Sequence, residues 1–393
     1  MSRSTKTADV IVVGGGIVGC AVAFTLAREG RSVVLLERDT VGAHASRVSA
    51  GMLTPLAEAE DDAPVLPLGR EALALFPDLV AELRARTGID PGFVRSGVLR
   101  VATTAAEAEA LRARASTFRG DDGVAWLDAT AAREHEPALS DEGLGALWSP
   151  NEAQIGAERL TAAYACAAAT LGAQVEERTR VAMLLRNGTR VTGVRTEVGD
   201  WSAPWVVLAT GPWAGCDAHG QGVLAPPPIE PVRGQIATLR PARPLLHAIV
   251  WDERVYLVPR PDGRVLAGAT EERVGFDCRV TAGGVRALVA AAIARVPALA
   301  DAVFVGAEAG LRPGSPDGQP VIGPASGQEG LLLAVGHHRR GVLLSALTGQ
   351  LVADLIAGRP LPDAARTFDP ARRLCGVPAT GRMEAACGAV ARS

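Results

Sequence analysis

Asp9-Val10-Ile11-Val12-Val13-Gly14-Gly15-Gly16-Ile17-Val18-Gly19 opens the most informative stretch of the chain, and Ser32-Val33-Val34-Leu35-Leu36-Glu37 closes it. The β-branched run before Gly14 suits a central strand of a parallel sheet, buried on both faces. Residues Ile17 to Arg28 suit a helix that Gly30 ends, and Ser32 to Leu36 supply a second strand. Gly14, Gly16 and Gly19 have the spacing GxGxxG. In that fingerprint the first glycine permits a tight turn, the second lets backbone N–H groups approach a pyrophosphate, and the third brings helix against strand. A helix starting at Ile17 and Val18 offers unpaired N–H groups and a partial positive charge to phosphate. Glu37 stands 18 residues after Gly19, placed to accept hydrogen bonds from a ribose diol and to disfavour NADP. The fingerprint itself does not separate FAD from NAD.

A rival reading starts from the absence of charge between Val10 and Ala27, behind Arg3 and Lys6. Such a run is long enough for a membrane span or a signal-peptide core. Three consecutive glycines and the strand that follows divide it instead into strand, turn and helix.

Composition narrows the class. A chain of 393 residues has room for two or three domains of roughly 150 residues. Its 48% hydrophobic and 21% charged residues exclude wholesale disorder. Lys and Arg number 40 against 43 acids, a net charge of −3, so the basic excess that a nucleic-acid partner requires is missing. Cys20, Cys166, Cys216, Cys278, Cys375 and Cys387 form no CxxC pair and are too dispersed for a disulfide framework. A reduced, cytoplasmic setting is expected. The histidines make no HExxH pattern, so no metal site is expected.

Beyond Glu37 the chain reads Arg38-Asp39-Thr40-Val41-Gly42-Ala43-His44-Ala45-Ser46, then Arg47-Val48-Ser49-Ala50-Gly51-Met52-Leu53. This small-residue stretch resembles the glycine oxidase family of FAD-dependent amine oxidoreductases, within the D-amino-acid oxidase and sarcosine oxidase superfamily. The resemblance continues through Val181, through Trp205 to Gly211, and through Pro231-Val232-Arg233-Gly234-Gln235. It includes Tyr256-Leu257-Val258-Pro259-Arg260, Gly268-Ala269-Thr270 and Gly310-Leu311-Arg312-Pro313. It ends in a closing flavin loop, Gly336-His337-His338-Arg339-Arg340-Gly341-Val342-Leu343-Leu344, before a helix from about Ser345 to Ile356.

The resemblance implies an α/β fold: a Rossmann-type FAD-binding domain interleaved with an antiparallel-sheet substrate domain. Residues 1–84, 146–219 and 306–368 are expected to form the first, 85–145 and 220–305 the second, and 369–393 a tail. Strands are expected within Val94 to Thr103 and Ile249 to Thr270, and helices over Glu71 to Arg86, with a break at Pro77, and Gly284 to Arg295. FAD is expected to be non-covalent, because no cysteine lies between Cys278 and Cys375. Its expected contacts are Gly14, Gly16, Ile17, Val18, Gly19, Glu37, Arg38, Ala45, Ser46, Ala50, Gly51, Met52, Val181 and Gly211. The closing loop adds His337, His338, Arg340, Gly341, Val342 and Leu343.

The implied activity is oxidation of the Cα–N bond of glycine or an N-substituted glycine by hydride transfer to flavin N5. The products are glyoxylate, an amine and H2O2, with O2 as acceptor; a dehydrogenase using another acceptor is the alternative. Arg312 is expected to anchor the substrate carboxylate, with Tyr256 and Arg339 beside it. Two departures stand out: Arg254 where some glycine oxidases have histidine, and His338 before Arg339-Arg340 where an aromatic before Arg-Asn is usual. Extra cations suit a substrate with a second carboxylate, an N-carboxymethyl amino acid. Equally, Arg254 and Arg340 could face solvent or pair with Asp252, Glu253 or Glu308. A homo-oligomer is compatible with the sequence.

Overall fold

The computed structural model describes residues 5–58, 65–118, 120, 123–214 and 229–372. Cys216, Cys375, Cys387 and most of the expected tail lie outside the described residues. The opening stretch forms strand Val10–Val13, a glycine turn, helix Ile17–Arg28 and strand Val33–Leu36. The uncharged run is thus shared between two elements. No helix among the described residues is long and apolar enough to cross a membrane.

Val10–Val13 lies inside a six-stranded sheet ordered Val321–Pro324, Leu331–Val335, Trp205–Leu208, Val10–Val13, Val33–Leu36, Gln174–Glu176. Neighbours run parallel except for the Val321–Pro324 and Leu331–Val335 pair. Val10, Val12, Val33 and Leu35 pack with helices Ile17–Arg28, Val65–Thr87, Ala157–Thr170 and Ser345–Ala357. Ile11, Val13, Val34 and Leu36 pack on the opposite face against Leu184, Val191, Val194 and Trp201 of a four-stranded sheet. Burial on both faces explains why these strands read as unbroken apolar runs rather than alternating ones. Each such side chain contributes about 1.5–3 kcal/mol.

Helix Val65–Thr87 is continuous through Pro77, which corrects the expected break. Pro77 is on the exposed face, where water can solvate the carbonyl that loses its donor, while Leu73, Phe76, Leu79 and Leu83 bury the other face.

An eight-stranded sheet is ordered Val303–Gly314, Glu230–Arg240, Val265–Gly268, Tyr256–Pro259, Ile249–Trp251, Val98–Ala102, Gly145–Ser149, Ala125–Asp128. It is antiparallel except between Ile249–Trp251 and Val98–Ala102, which run parallel. The boundaries expected at 145/146 and 305/306 fall at and inside strands of this sheet. Val303–Gly314 pairs with Glu230–Arg240 from Val303 to Gly314, so Arg312 rides on the eight-stranded sheet.

Candidate functional site

One continuous cleft collects nearly all of the expected residues. At one end it is lined by Glu37, Arg38, Val181, Gly211 and Trp213. Glu37 is buried, and its two carboxylate oxygens accept the N–H groups of Gly15 (2.5 Å) and Asp39 (2.8 Å). That pair of bonds holds the acid at its strand end, facing the cleft. Asp39 and His44 cluster with Glu37, but His44 Nε2 and Asp39 Oδ2 are bonded to each other at 2.7 Å. The Arg38 guanidinium lies 3.9 Å from the centre of the Trp213 ring, a wall that no local motif announces.

The middle of the cleft is backbone. Gly14, Gly16, Ile17, Val18, Ala45 and Ser46 line it. Gly14 has φ +109°, and a Cβ there would stand 2.5 Å from the Ala209 carbonyl oxygen. The residue that begins helix Ile17–Arg28, Gly16, supplies no capping side chain, and the first turn holds no acid. Ser46 Oγ accepts the Ile17 N–H at 2.9 Å. Gly19 does not line the cleft: a Cβ there would meet the Gly14 carbonyl oxygen at 1.9 Å, so its place is in the helix–turn packing. A glycine turn, an uncapped helix start and a carboxylate at the next strand end fit a dinucleotide cofactor.

Further along, Ala50, Gly51 and Met52 face His337, Gly341 and Val342. His337 is buried, bonds Thr348 Oγ1 through Nε2 at 3.0 Å, and is pushed down to about 4 by that burial, so its ring is neutral. Leu343, expected among the cofactor contacts, does not line the cleft; its side chain is 2% exposed and packs in the helical core. Arg340, expected there too, is also absent from the cleft lining. Its Nη1 donates to the Gly318 carbonyl at 3.1 Å, and it lines a neighbouring chamber instead.

The far end holds Tyr256, Arg312, Arg339, Arg254 and His338. Arg312 Nη1 donates to the Thr270 carbonyl at 3.1 Å, and its positive charge acts on the Tyr256 phenol. No carboxylate among the described residues forms a salt bridge with it. A Cβ at position 234 would lie 2.4 Å from the guanidinium, and one at 268 would lie 2.5 Å from the Tyr256 ring. The two glycine-bearing motifs therefore make room for these two side chains. Burial raises the Tyr256 phenol, against the opposing pull of Arg312 and Arg339.

Arg339 is ion-paired with Glu271. Burial would raise that carboxyl, but the Arg339 bond and charge, with His338 and Arg312, hold it below its ordinary value. His338 is pushed down to about 4, chiefly by burial. Arg254 is exposed at the cleft and in no salt bridge with a described residue. Asp252, one of its expected partners, is buried against Arg295 at 2.8 Å, and Glu308 pairs with Arg47.

Two wall residues escaped the sequence reading. Trp251 stands directly opposite Tyr256 in its strand pair, a placement the hairpin register would have revealed. Glu58 ends the short helix Pro55–Glu58 and lines the same end of the cleft. Burial raises its carboxyl, opposed by Arg340, Arg339 and Arg312.

The chain belongs to the FAD-dependent oxidoreductase family, whose model matches residues 9–355. It is 40% identical to a glycine oxidase from Geobacillus kaustophilus over 355 residues, 90% of this chain and 93% of that one. The crystal structure of the glycine oxidase from that organism superposes with a TM-score of 0.89 at 38% identity, covering 94% of this chain and all of the other. An iminodiacetate oxidase from Chelativorans superposes with a TM-score of 0.84 at 27% identity, covering 92% and 98%.

Proposed function

We propose that this FAD-dependent enzyme is an oxidase of glycine or of N-substituted glycines, held by its carboxylate at the Arg312 end of the cleft. The observation that carries the reading is Arg312 itself. It is a guanidinium facing the cleft, steadied by the Thr270 carbonyl, with Tyr256 on the same wall and no carboxylate of the described residues in a salt bridge with it. A guanidinium so placed takes a carboxylate through two parallel N–H bonds. The small residues Ala50 and Gly51 line the same cleft. The similarity to a glycine oxidase and to an iminodiacetate oxidase supports the same substrate class.

Glu37, Arg38 and Val181 would hold the adenosine end of FAD, with Gly14, Gly16, Ile17, Val18, Ala45 and Ser46 along the pyrophosphate. Ala50, Gly51, Met52, His337, Gly341 and Val342 would border the ring. The bound cofactor supplies a two-electron acceptor. Arg312 and Tyr256 orient the substrate, which is where most of the protein's share of the rate arises. Overall, a glycine unit, O2 and water give glyoxylate, the freed amine or ammonia, and H2O2. The sheets divide the labour in the same way: the six-stranded one carries the nucleotide turn, and the eight-stranded one carries Arg312 and Tyr256.

Anaerobic mixing with glycine, with sarcosine and with iminodiacetate tests the reading. Bleaching of the flavin absorbance by at least one of them is expected, and bleaching by none would overturn it. Reoxidation by O2 with stoichiometric H2O2 separates an oxidase from a dehydrogenase.

A further inference from the structure

Next to the Arg312 end lies a second chamber, walled by Ala57, Glu58, Arg100, Trp251, His338, Arg339 and Arg340. Glu58, Trp251, His338 and Arg339 also wall the main cleft, so the two spaces adjoin. Three guanidinium groups meet one carboxyl here. Arg339 is already ion-paired with Glu271. Arg100 bonds only the Ala57 carbonyl (3.1 Å) among hydrogen-bond acceptors of the described residues, and lies 5.6 Å from the centre of the Trp251 ring. Arg340 bonds the Gly318 carbonyl. Neither is in a salt bridge with a described residue; Glu253, Glu107 and Glu152 act on Arg100 only at longer range.

A partly desolvated guanidinium that a backbone carbonyl orients, with no carboxylate of the described residues in a salt bridge with it, is a ready anion site. Glycine cannot use it, because its one carboxylate is needed at Arg312. An N-substituent can.

We infer that the chamber formed by Arg100, Trp251, Arg339 and Arg340 receives a second carboxylate, carried on the substrate nitrogen. The preferred substrate is then a secondary amine of glycine whose N-substituent ends in a carboxylate. The inference rests on the oxidase reading and deepens it. It also relocates the expected recognition: Arg100 joins Arg340, whereas Arg254 lines the main cleft outside the chamber. Glu58 stands on the shared wall, where an anionic substituent must pass it.

The test is kcat/KM of the holoenzyme for sarcosine and for iminodiacetate, the smallest glycine with a carboxylate on its N-substituent. Iminodiacetate is expected to be preferred at least tenfold. Arg100→Met and Arg340→Met should each cut that preference at least tenfold, and Arg100→Lys should restore part of it. A wild-type preference near one, or a preference unmoved in both methionine variants, overturns the inference. Each substitution also removes a bond to a carbonyl, so bound-flavin spectra and Tm accompany the kinetics. If no glycine derivative reduces the flavin, the oxidase reading fails alone. The chamber is then judged by titrating the flavin spectrum with glutarate, the carbon isostere of iminodiacetate, against butyrate. Tighter binding of the diacid by tenfold or more supports it, and equal binding overturns it.

Discussion

The two ends of the cleft are built on different principles. The nucleotide end is main chain: a glycine turn, an uncapped helix start and one carboxylate pinned by two N–H groups. The substrate end is side chain: Arg312 from one strand, Tyr256 from another, Glu58 from a short helix and Arg339 from the 3-10 turn His338–Arg340. The first end depends on what is absent, namely side chains, and the second on what is present. Substitutions should therefore fail in opposite ways at the two ends.

The largest effect is expected at the side-chain end. Arg312→Ala should lower kcat/KM for glycine by roughly 10²–10³-fold, from the loss of a charge-assisted pair of hydrogen bonds. Bound flavin should stay near one per chain, as read from the absorbance of the purified protein. Flavin loss in this variant would erase the distinction between the ends. Gly14→Ala should do the reverse, because its Cβ would strike the Ala209 carbonyl oxygen at a positive φ. The flavin-to-protein ratio should fall well below one, while added FAD restores turnover. Acid precipitation of the wild type should leave the flavin in the supernatant, since no cysteine is among the residues that line the cleft.

Tyr256→Phe removes one hydroxyl next to Arg312. About a tenfold fall in kcat/KM is expected, in line with about 1–1.5 kcal/mol for one hydrogen bond. An unchanged value would leave Arg312 as the sole anchor.

The smallest effect concerns the support beneath Glu58. Glu152 accepts the Leu56 and Ala57 N–H groups of the helix that ends in Glu58. Its carboxyl is pushed from 4.5 up to about 8 by burial, which those two bonds only partly offset. Between those pH values the folded protein keeps a proton that the unfolded chain has lost, so stability falls as pH rises through the window. A glutamine at this position would not titrate. The Tm of Glu152→Gln relative to the wild type should therefore climb by a few degrees from pH 5 to pH 8, and a flat difference would contradict the assignment.

The same contrast explains what the sequence disclosed. Glycines at fixed spacing between a β-branched run and a helix are a local pattern, and the strand, turn and helix at that end were legible from it. The closing loop was legible as a unit but not in its facing. The loop is a short 3-10 turn, His338–Arg340, whose successive residues point about 120° apart, so Arg339 meets both the cleft and the chamber, Arg340 the chamber alone, and Leu343 beyond it the core. Glu58 and Arg100 carry no pattern of their own. A lone acid at a helix end and a lone arginine on a strand become neighbours only through the fold. The expected divisions at 145/146 and 305/306 missed for a related reason: strand pairing runs on past any point where a motif begins.

The 2.4 Å approach between position 234 and the Arg312 guanidinium bears on how such a protein can change over generations. Any side chain at 234 would displace the guanidinium proposed to hold the carboxylate common to every substrate, so on that proposal the position is closed to drift. Novelty has to enter at the rim, through Glu58, Arg100, Arg254 and Arg340. Descendants of this chain can acquire new N-substituents far more readily than they can abandon the carboxylate.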